Sequence, residues 1–146
     1  MTVLDVAAYI LARLGCMTAM KLQKLAYYTQ AWSLAWTGEP LFPNRIEAWE
    51  KGPVIRDLYD AHRGEFEVQS IAGGDQAKVS AKARAIIDAV LATYGPKSPQ
   101  TLSDLTHSEE PWHQARAGAP PSAPSNAEIT MRSMRAYYGW LAHKNS

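Results

Sequence analysis

The segment EAWEKGPVIRDLYD, residues 47–60, is split by a Lys-Gly-Pro break. Before the break the side chains alternate in polarity, which is typical of extended chain or of a short strand. After the break the apolar residues recur at helical spacing: Val54, Leu58 and Tyr59. Proline is favoured in the first turn of a helix. We therefore predict a third helix that begins at Pro53 and ends near Arg63, with Gly52 permitting a sharp backbone change and the close approach of another segment.

Two helices are predicted upstream of this segment. Thr2 is placed to cap the first, which ends at Gly15, and Thr18 is placed to cap the second, which ends at Gly38. The second helix is apolar around much of its circumference, as expected of a helix at the centre of a core. Trp32 is predicted to lie in that core.

Downstream, residues 64–79 are polar and contain glycine, which predicts a loop with a short strand at 66–68. Residues that start helices follow at intervals: Ser80, Ser98 with Pro99, and Pro111. The stretch AGAPPSAPSN, residues 117–126, is rich in proline, alanine and serine and is predicted to be a connector. Ser125 and Glu128 have the spacing of a capping box, which predicts that a last helix begins there.

These patterns predict a mainly α fold: a compact single-domain helical bundle over residues 1–146, with about six or seven helices and at most one short β-hairpin. A chain of 146 residues with 47% hydrophobic and 20% charged residues is long enough and apolar enough for one such domain. No apolar run approaches the roughly 18 residues of a membrane span. The N-terminus lacks the basic region and cleavage site of a signal peptide. Cys16, the single cysteine, is predicted to be a small buried residue in a reducing compartment, and we expect a cytoplasmic protein.

Two clusters have residue types that carry chemistry. One has the types of a hydrolase: Ser103, Asp104 and His107. It lacks a nucleophile elbow and an oxyanion-hole glycine run, and a histidine near a helix end is explained by contact with the last carbonyls. The other has metal-ligand types: His107, Glu109, Glu110 and His113. Because Pro111 interrupts any common helical face in that cluster, we predict that it binds no metal. Taking both clusters together, we predict no enzyme and no cofactor, and we rank a hydrolase or metal enzyme third among the functions.

The first two helices are joined by GCMT and have the arrangement of a helix-turn-helix. Polar side chains that could meet DNA begin the second helix: Lys21, Gln23 and Lys24. The near balance of 15 Lys and Arg against 14 Asp and Glu argues against nucleic acid as a partner. The second helix also has more apolar surface than a recognition helix leaves exposed, so it is better explained as a core helix with lysines at its edge. A DNA-binding regulator stays open as the rival function.

Aromatic residues are more numerous than a small core usually needs, with five tryptophans and seven tyrosines. Tryptophan and tyrosine dominate the hot spots of protein–protein interfaces. Trp49, which lies among charged residues and precedes Gly-Pro, is open to either a core or an interface role.

Three ordered motifs together resemble one family. The motifs are, in order, MKLQKLAYY, IEAWEKGPV and LSDLTHSEEPWHQAR. The matching residues of the first are Lys21, Leu22, Lys24, Leu25 and Tyr28, and those of the second are Ala48, Trp49, Gly52, Pro53 and Val54. Those of the third are Thr106, His107, Pro111 and Trp112. In this order and spacing they resemble the Panacea domain of SocA-like antitoxins and phage-associated proteins. The resemblance covers about residues 3–116 and extends to the last helix, so residues 1–146 are expected to form a single Panacea-like domain.

The resemblance implies an antitoxin of a toxin–antitoxin system that neutralises a cognate protein toxin by direct protein–protein interaction. Some of this family instead act as adaptors that deliver the toxin to the ClpXP protease, and that role is the alternative. A fold used against varied toxins needs a fixed core and a variable surface. We therefore expect the signature residues to be mainly structural, with partner binding as their other role, and Trp49 and Trp112 to pack over the Gly-Pro corner. The toxin would then meet exposed helix faces, the 64–79 loop or the last helix; no membrane partner is expected, and the oligomeric state is not predicted.

Overall fold

The computed structural model describes residues 1–145, and within them the chain forms seven helices and four short strands. The helices are α1 Val3–Leu14, α2 Ala19–Thr37, α3 Arg56–His62, α4 Ala81–Tyr94, α5 Pro99–Ser108, α6 Glu110–Arg116 and α7 Met131–Lys144. The strands are β1 Met17–Thr18, β2 Ile46–Trp49, β3 Gly52–Ile55 and β4 Glu67–Val68, and a 3₁₀ turn spans Gln76–Lys78. The predicted mainly α class is confirmed.

Helix α2 is the centre of the core, and the other elements pack around it. It is buried without interruption from residue 22 to residue 34, and α7, α4, α5 and α1 all contact it. Trp32 is buried in this core, as predicted, whereas Trp36 at the end of the helix is 49% exposed. Among the described residues no helix is long and apolar enough to cross a membrane.

The predicted caps explain where most helices begin. Thr18, Ser80 and Ser98 each accept a hydrogen bond from the backbone N–H three residues ahead. At the start of α1 the side chain of Asp5 caps the chain in return, because its Oδ2 accepts from the Thr2 backbone N–H at 2.9 Å.

The strands form two small antiparallel sheets. The sequence allowed one short β-hairpin without placing it, and the structure forms it as β2–β3, in which Ile46 pairs with Ile55 and Trp49 with Gly52. The second sheet pairs β1 with β4, and the strand predicted at 66–68 is therefore present as β4. Its partner strand, which lies about 50 residues earlier in the chain, had no sequence signal, because strand pairing between distant segments leaves none.

The start predicted for the third helix is wrong. Pro53 lies in β3, and α3 begins at Arg56. Proline is tolerated in a strand where its position requires no N–H donor. Pro53 lies opposite Ala48 in the hairpin. The Ala48 N–H donates to Ala127 O and the Ala48 carbonyl accepts from Arg116, so neither group of Ala48 bonds to β3. The pairing of Ala48 with Pro53 therefore needs no backbone N–H on residue 53.

The start predicted for the last helix is also wrong. Helix α7 begins at Met131, and its cap is Thr130, whose Oγ1 accepts from the Ser133 N–H. The residues predicted to open the helix are extended, because 127–129 run along β2 instead: Ala127 O accepts from Ala48 N at 2.8 Å, and the N–H of residue 129 donates to residue 46. The free edge of the hairpin is thereby covered.

Cys16 is exposed, which corrects the prediction that it is buried. It follows Gly15, whose φ of +84° ends α1 and turns the chain outward before β1. The Cys16 Sγ lies 3.9 Å from a Glu67 carboxylate oxygen at the surface.

Candidate functional site

The three signature motifs meet at the hairpin β2–β3. Helix α2 and helix α5 both contact β3, and helix α6 contacts β2. The first motif is therefore under the hairpin, the second forms it, and the third flanks it. Most of the signature residues are buried: Leu22, Lys24, Leu25, Tyr28, Gly52, Pro53, Val54, Pro111 and Trp112. Lys21, Trp49 and His107 are partly buried.

Lys24 is a buried amine beneath the tip of the hairpin. It is 2% exposed, and its Nζ donates to the Pro53 carbonyl oxygen at 3.2 Å. Within residues 1–145 no carboxylate lies at ion-pair distance from it. Burial therefore lowers the pKa of Lys24 to about 8. The prediction that the lysines lie at the edge of α2 does not hold for this one.

Gly52 lies directly over the Lys24 side chain. Its φ is +119°, and a Cβ built on it would be 2.8 Å from Lys24 Cε and 3.1 Å from Thr106 Oγ1. The close approach predicted for this glycine is therefore present, and no larger residue fits without movement.

Three consecutive carbonyls at the hairpin turn, those of residues 49–51, accept hydrogen bonds from side chains of α5 and α6. The bonds are Trp112 Nε1 to Trp49 O at 2.8 Å, His107 Nε2 to Glu50 O at 2.9 Å and Ser103 Oγ to Lys51 O at 3.2 Å. Trp49 and Trp112 are thus joined across the Gly-Pro corner through a backbone bond, and the ring of Trp49 packs on Tyr59 with centroids 5.0 Å apart. Ser103 and His107 do touch, at 3.4 Å, but both are engaged with the turn.

Arg116 continues this pattern and was not identified from the sequence. Its guanidinium donates to Ala48 O at 3.1 Å, to Pro120 O at 2.8 Å and to Ala123 O at 2.6 Å, and it lies over the Trp112 ring. A single buried cation therefore fixes the connector 117–126 against the hairpin. The available signal was its position four residues after Trp112 on one helix, which places both side chains on the same face.

Glu109 is a buried carboxylate that attaches α6 to α2 and α7. Its Oε1 accepts from Tyr28 Oη at 2.7 Å and from Tyr138 Oη at 2.8 Å, and Tyr138 Oη also lies 3.1 Å from Tyr27 Oη. Burial raises the pKa of Glu109, while these two hydroxyls lower it in part. The carboxylate is thus engaged inside the protein rather than turned toward a ligand.

The metal cluster considered in the sequence is not assembled. In the part of the chain that the structure describes, no group of three or more His, Cys, Asp and Glu side chains is placed to hold a metal ion. Glu110 and His113 are exposed, whereas Glu109 is buried.

The side chains expected to meet DNA in a helix-turn-helix are engaged with other parts of the chain. Lys21 Nζ donates to the Gly95 carbonyl oxygen at the end of α4, at 2.6 Å. Gln23 is buried, and its side chain bonds to both the N–H and the C=O of Ile55. Together with buried Lys24, they leave the start of α2 covered rather than open to a DNA groove.

Comparison with known proteins gives one family. The family model described as "Antitoxin SocA-like, Panacea domain" matches residues 22–113 of the chain. The match begins one residue after Lys21 and includes the hairpin and the Thr-His-x-x-x-Pro-Trp motif. No curated protein and no solved structure matches the chain significantly.

Proposed function

The chain belongs to the SocA-like antitoxin family with the Panacea domain, and we propose that it is an antitoxin that neutralises a cognate protein toxin by direct binding. The match over residues 22–113 is the observation that carries this proposal. The protein would act in the cytoplasm, as one domain, without catalysis and without a cofactor.

The use of the signature residues supports binding over chemistry. The polar groups of Lys24, His107 and Trp112 bond to carbonyl oxygens of the hairpin, so their role in this proposal is to hold the hairpin against α2, α5 and α6. Catalysis requires a nucleophile or base in reach of a substrate. Partner contacts would then lie on exposed surface outside the signature.

A helix-turn-helix regulator is supported less well. Reading DNA requires several side chains at the start of the recognition helix to reach base edges. Here that part of α2 carries Gln23 and Lys24, which are both buried.

Co-expression with the protein encoded by the adjacent open reading frame tests the proposal. We expect that protein to arrest growth alone, and this chain to restore growth and to co-purify with it. Rescue without a complex, together with ClpX-dependent loss of the neighbour, would favour the adaptor role. A harmless neighbour that forms no complex would overturn the proposal.

The Ser103→Ala variant separates binding from hydrolysis. It removes the only hydroxyl of the hydrolase-like cluster, together with one bond to Lys51 O. We expect it to rescue growth as the wild type does. Loss of rescue in a variant that still folds, as judged by circular dichroism, would revive the enzymatic alternative.

A further inference from the structure

Helix α7 has one buried and one exposed face. Met134 and Tyr138 are fully buried against α2. A line of residues spaced by four lies elsewhere on the helix and is exposed: Arg132, Ala136, Trp140 and Lys144. These four residues and Arg135 are named the α7 outer face.

The α7 outer face is entirely basic in charge. Helix α7 contains three of the 15 Lys and Arg residues and none of the 14 Asp and Glu residues, so the rest of the chain has 12 basic and 14 acidic residues. Among residues 1–145 no carboxylate lies within ion-pair distance of Arg132 or Arg135. The Lys144 ammonium lies over the Trp140 ring at 5.0 Å. A surface with unpaired cations complements an acidic partner.

An open groove of about 600 Å³ adjoins this face, between the start of α7 and the end of α2. Leu34, Gly38 and Pro40 line it from the α2 side, and Met131 and Ala136 line it from α7 together with the two arginines. Met131 is 38% exposed and Trp140 is 54% exposed. Arginine and tryptophan are enriched in interface hot spots, and here Arg132 and Arg135 line the groove while Trp140 lies one turn beyond Ala136 on the α7 outer face.

We propose, on the basis of the antitoxin function proposed above, that the α7 outer face and this groove bind an acidic segment of the toxin. Carboxylates of that segment pair with Arg132 and Arg135, and an apolar side chain of the same segment enters the groove. Helix α7 lies outside the residues 22–113 that the family model matches.

A protein segment fits this surface better than nucleic acid does. Three cations on one helix are few for phosphate binding, which usually engages many basic residues. The apolar lining of the groove also has no role in contacts to phosphate. Glu39, the acidic residue next to the groove in sequence, lines a separate cavity with Lys82.

Binding of the adjacent-frame protein to charge variants tests this surface. We expect the Arg132→Glu/Arg135→Glu variant to bind at least about tenfold more weakly than the wild type, because attraction becomes repulsion. The Arg132→Gln/Arg135→Gln variant should lose less. The control Lys51→Glu/Lys82→Glu makes the same change in net charge at two exposed lysines outside the α7 outer face, and should bind as the wild type does. Circular dichroism checks that all three variants fold.

The outcomes separate the two proposals. Wild-type binding that the arginine variants retain would overturn the α7 surface and leave the antitoxin function standing. Failure of the wild type itself to bind the neighbour would overturn both. Binding of a short DNA duplex at about 150 mM salt, lost in the Arg132→Glu/Arg135→Glu variant, would show instead that the surface binds nucleic acid.

Discussion

Gly52 and Gly139 differ in what an added methyl group would contact. At Gly52 the φ is +119° and Lys24 Cε is 2.8 Å away, whereas at Gly139, in α7, nothing lies within 4 Å. We expect Gly52→Ala to lower the free energy of unfolding by about 1–3 kcal/mol through strain and overlap. Gly139→Ala should raise it by roughly 0.5–1 kcal/mol, because alanine favours helix. Urea denaturation of both variants gives the two values, and shifts of the same sign would contradict this comparison.

Lys24 should give the stability of the protein a distinctive dependence on pH. The pKa of Lys24 is about 8 in the fold and 10.5 in the unfolded chain. Between these values the unfolded chain binds the proton and the folded chain does not, so the free energy of unfolding rises with pH. We expect the free energy of unfolding of the wild type to rise by about 1.5 kcal/mol relative to that of the Lys24→Met variant between about pH 8 and pH 9.5. Urea denaturation of both proteins across this range measures it, and parallel pH profiles would show that the amine stays charged when buried.

At the scale of elements, Tyr138 links α7 to α2 and α6. Its hydroxyl bonds to Glu109 and Tyr27, whereas the Tyr137 hydroxyl has no hydrogen-bond partner among residues 1–145. We expect Tyr138→Phe to lower the free energy of unfolding by about 1.5–3 kcal/mol, since the buried carboxylate loses a donor. The control Tyr137→Phe should change it by less than about 0.5 kcal/mol. Equal losses in thermal denaturation would mean that the hydroxyl of Tyr138 contributes nothing specific.

The order of the connector, residues 117–126, depends on the hydrogen bonds of Arg116. Its bonds to Pro120 O and Ala123 O fix a stretch that proline and alanine would otherwise leave loosely held. We expect Arg116→Met to accelerate amide hydrogen exchange in residues 117–126 while α4 and α5 keep their protection. Arg132→Met, on an exposed arginine, is the control. Unchanged exchange in the connector would assign its order to the contacts of 127–129 with β2 instead.

The elements that the sequence predicted correctly are those with local signals. Thr18, Ser80 and Ser98 each cap a helix through a bond three residues away, so a short window contains all the information. The two wrong helix starts, at Pro53 and near Glu128, also came from local signals. Each is a good helix-starting residue locally, but pairing with β2 outweighs that preference and holds both in extended segments. For Pro53 the pairing is made within the hairpin, and for Glu128 it is made with a strand that lies far away in the sequence.

At the scale of the whole molecule, the motifs predicted which residues come together but not what they contact. The signature residues do gather at one hairpin. Three of them bond there to backbone carbonyls, those of Trp49, Glu50 and Pro53, and a backbone carbonyl carries no side-chain identity that a sequence could reveal. Arg116 and Glu109 were missed as anchors because the Ala48 carbonyl and the hydroxyls of Tyr28 and Tyr138 become their neighbours only after folding.

The same internal network predicts how the free chain behaves before it meets a partner. Core residues come from α1 through α7, and both ends of the chain pack on α2, so the fold does not need a partner to bury its apolar surface. We expect the isolated protein to be helical by circular dichroism and to unfold cooperatively. Mixing it with the adjacent-frame protein should give the sum of the two separate spectra, with the Arg132→Glu/Arg135→Glu variant, at concentrations where it stays unbound, as the control. A gain of helical signal on mixing, absent with that variant, would instead show that binding orders one of the two proteins, and a random-coil spectrum of the free chain would assign that ordering to this protein.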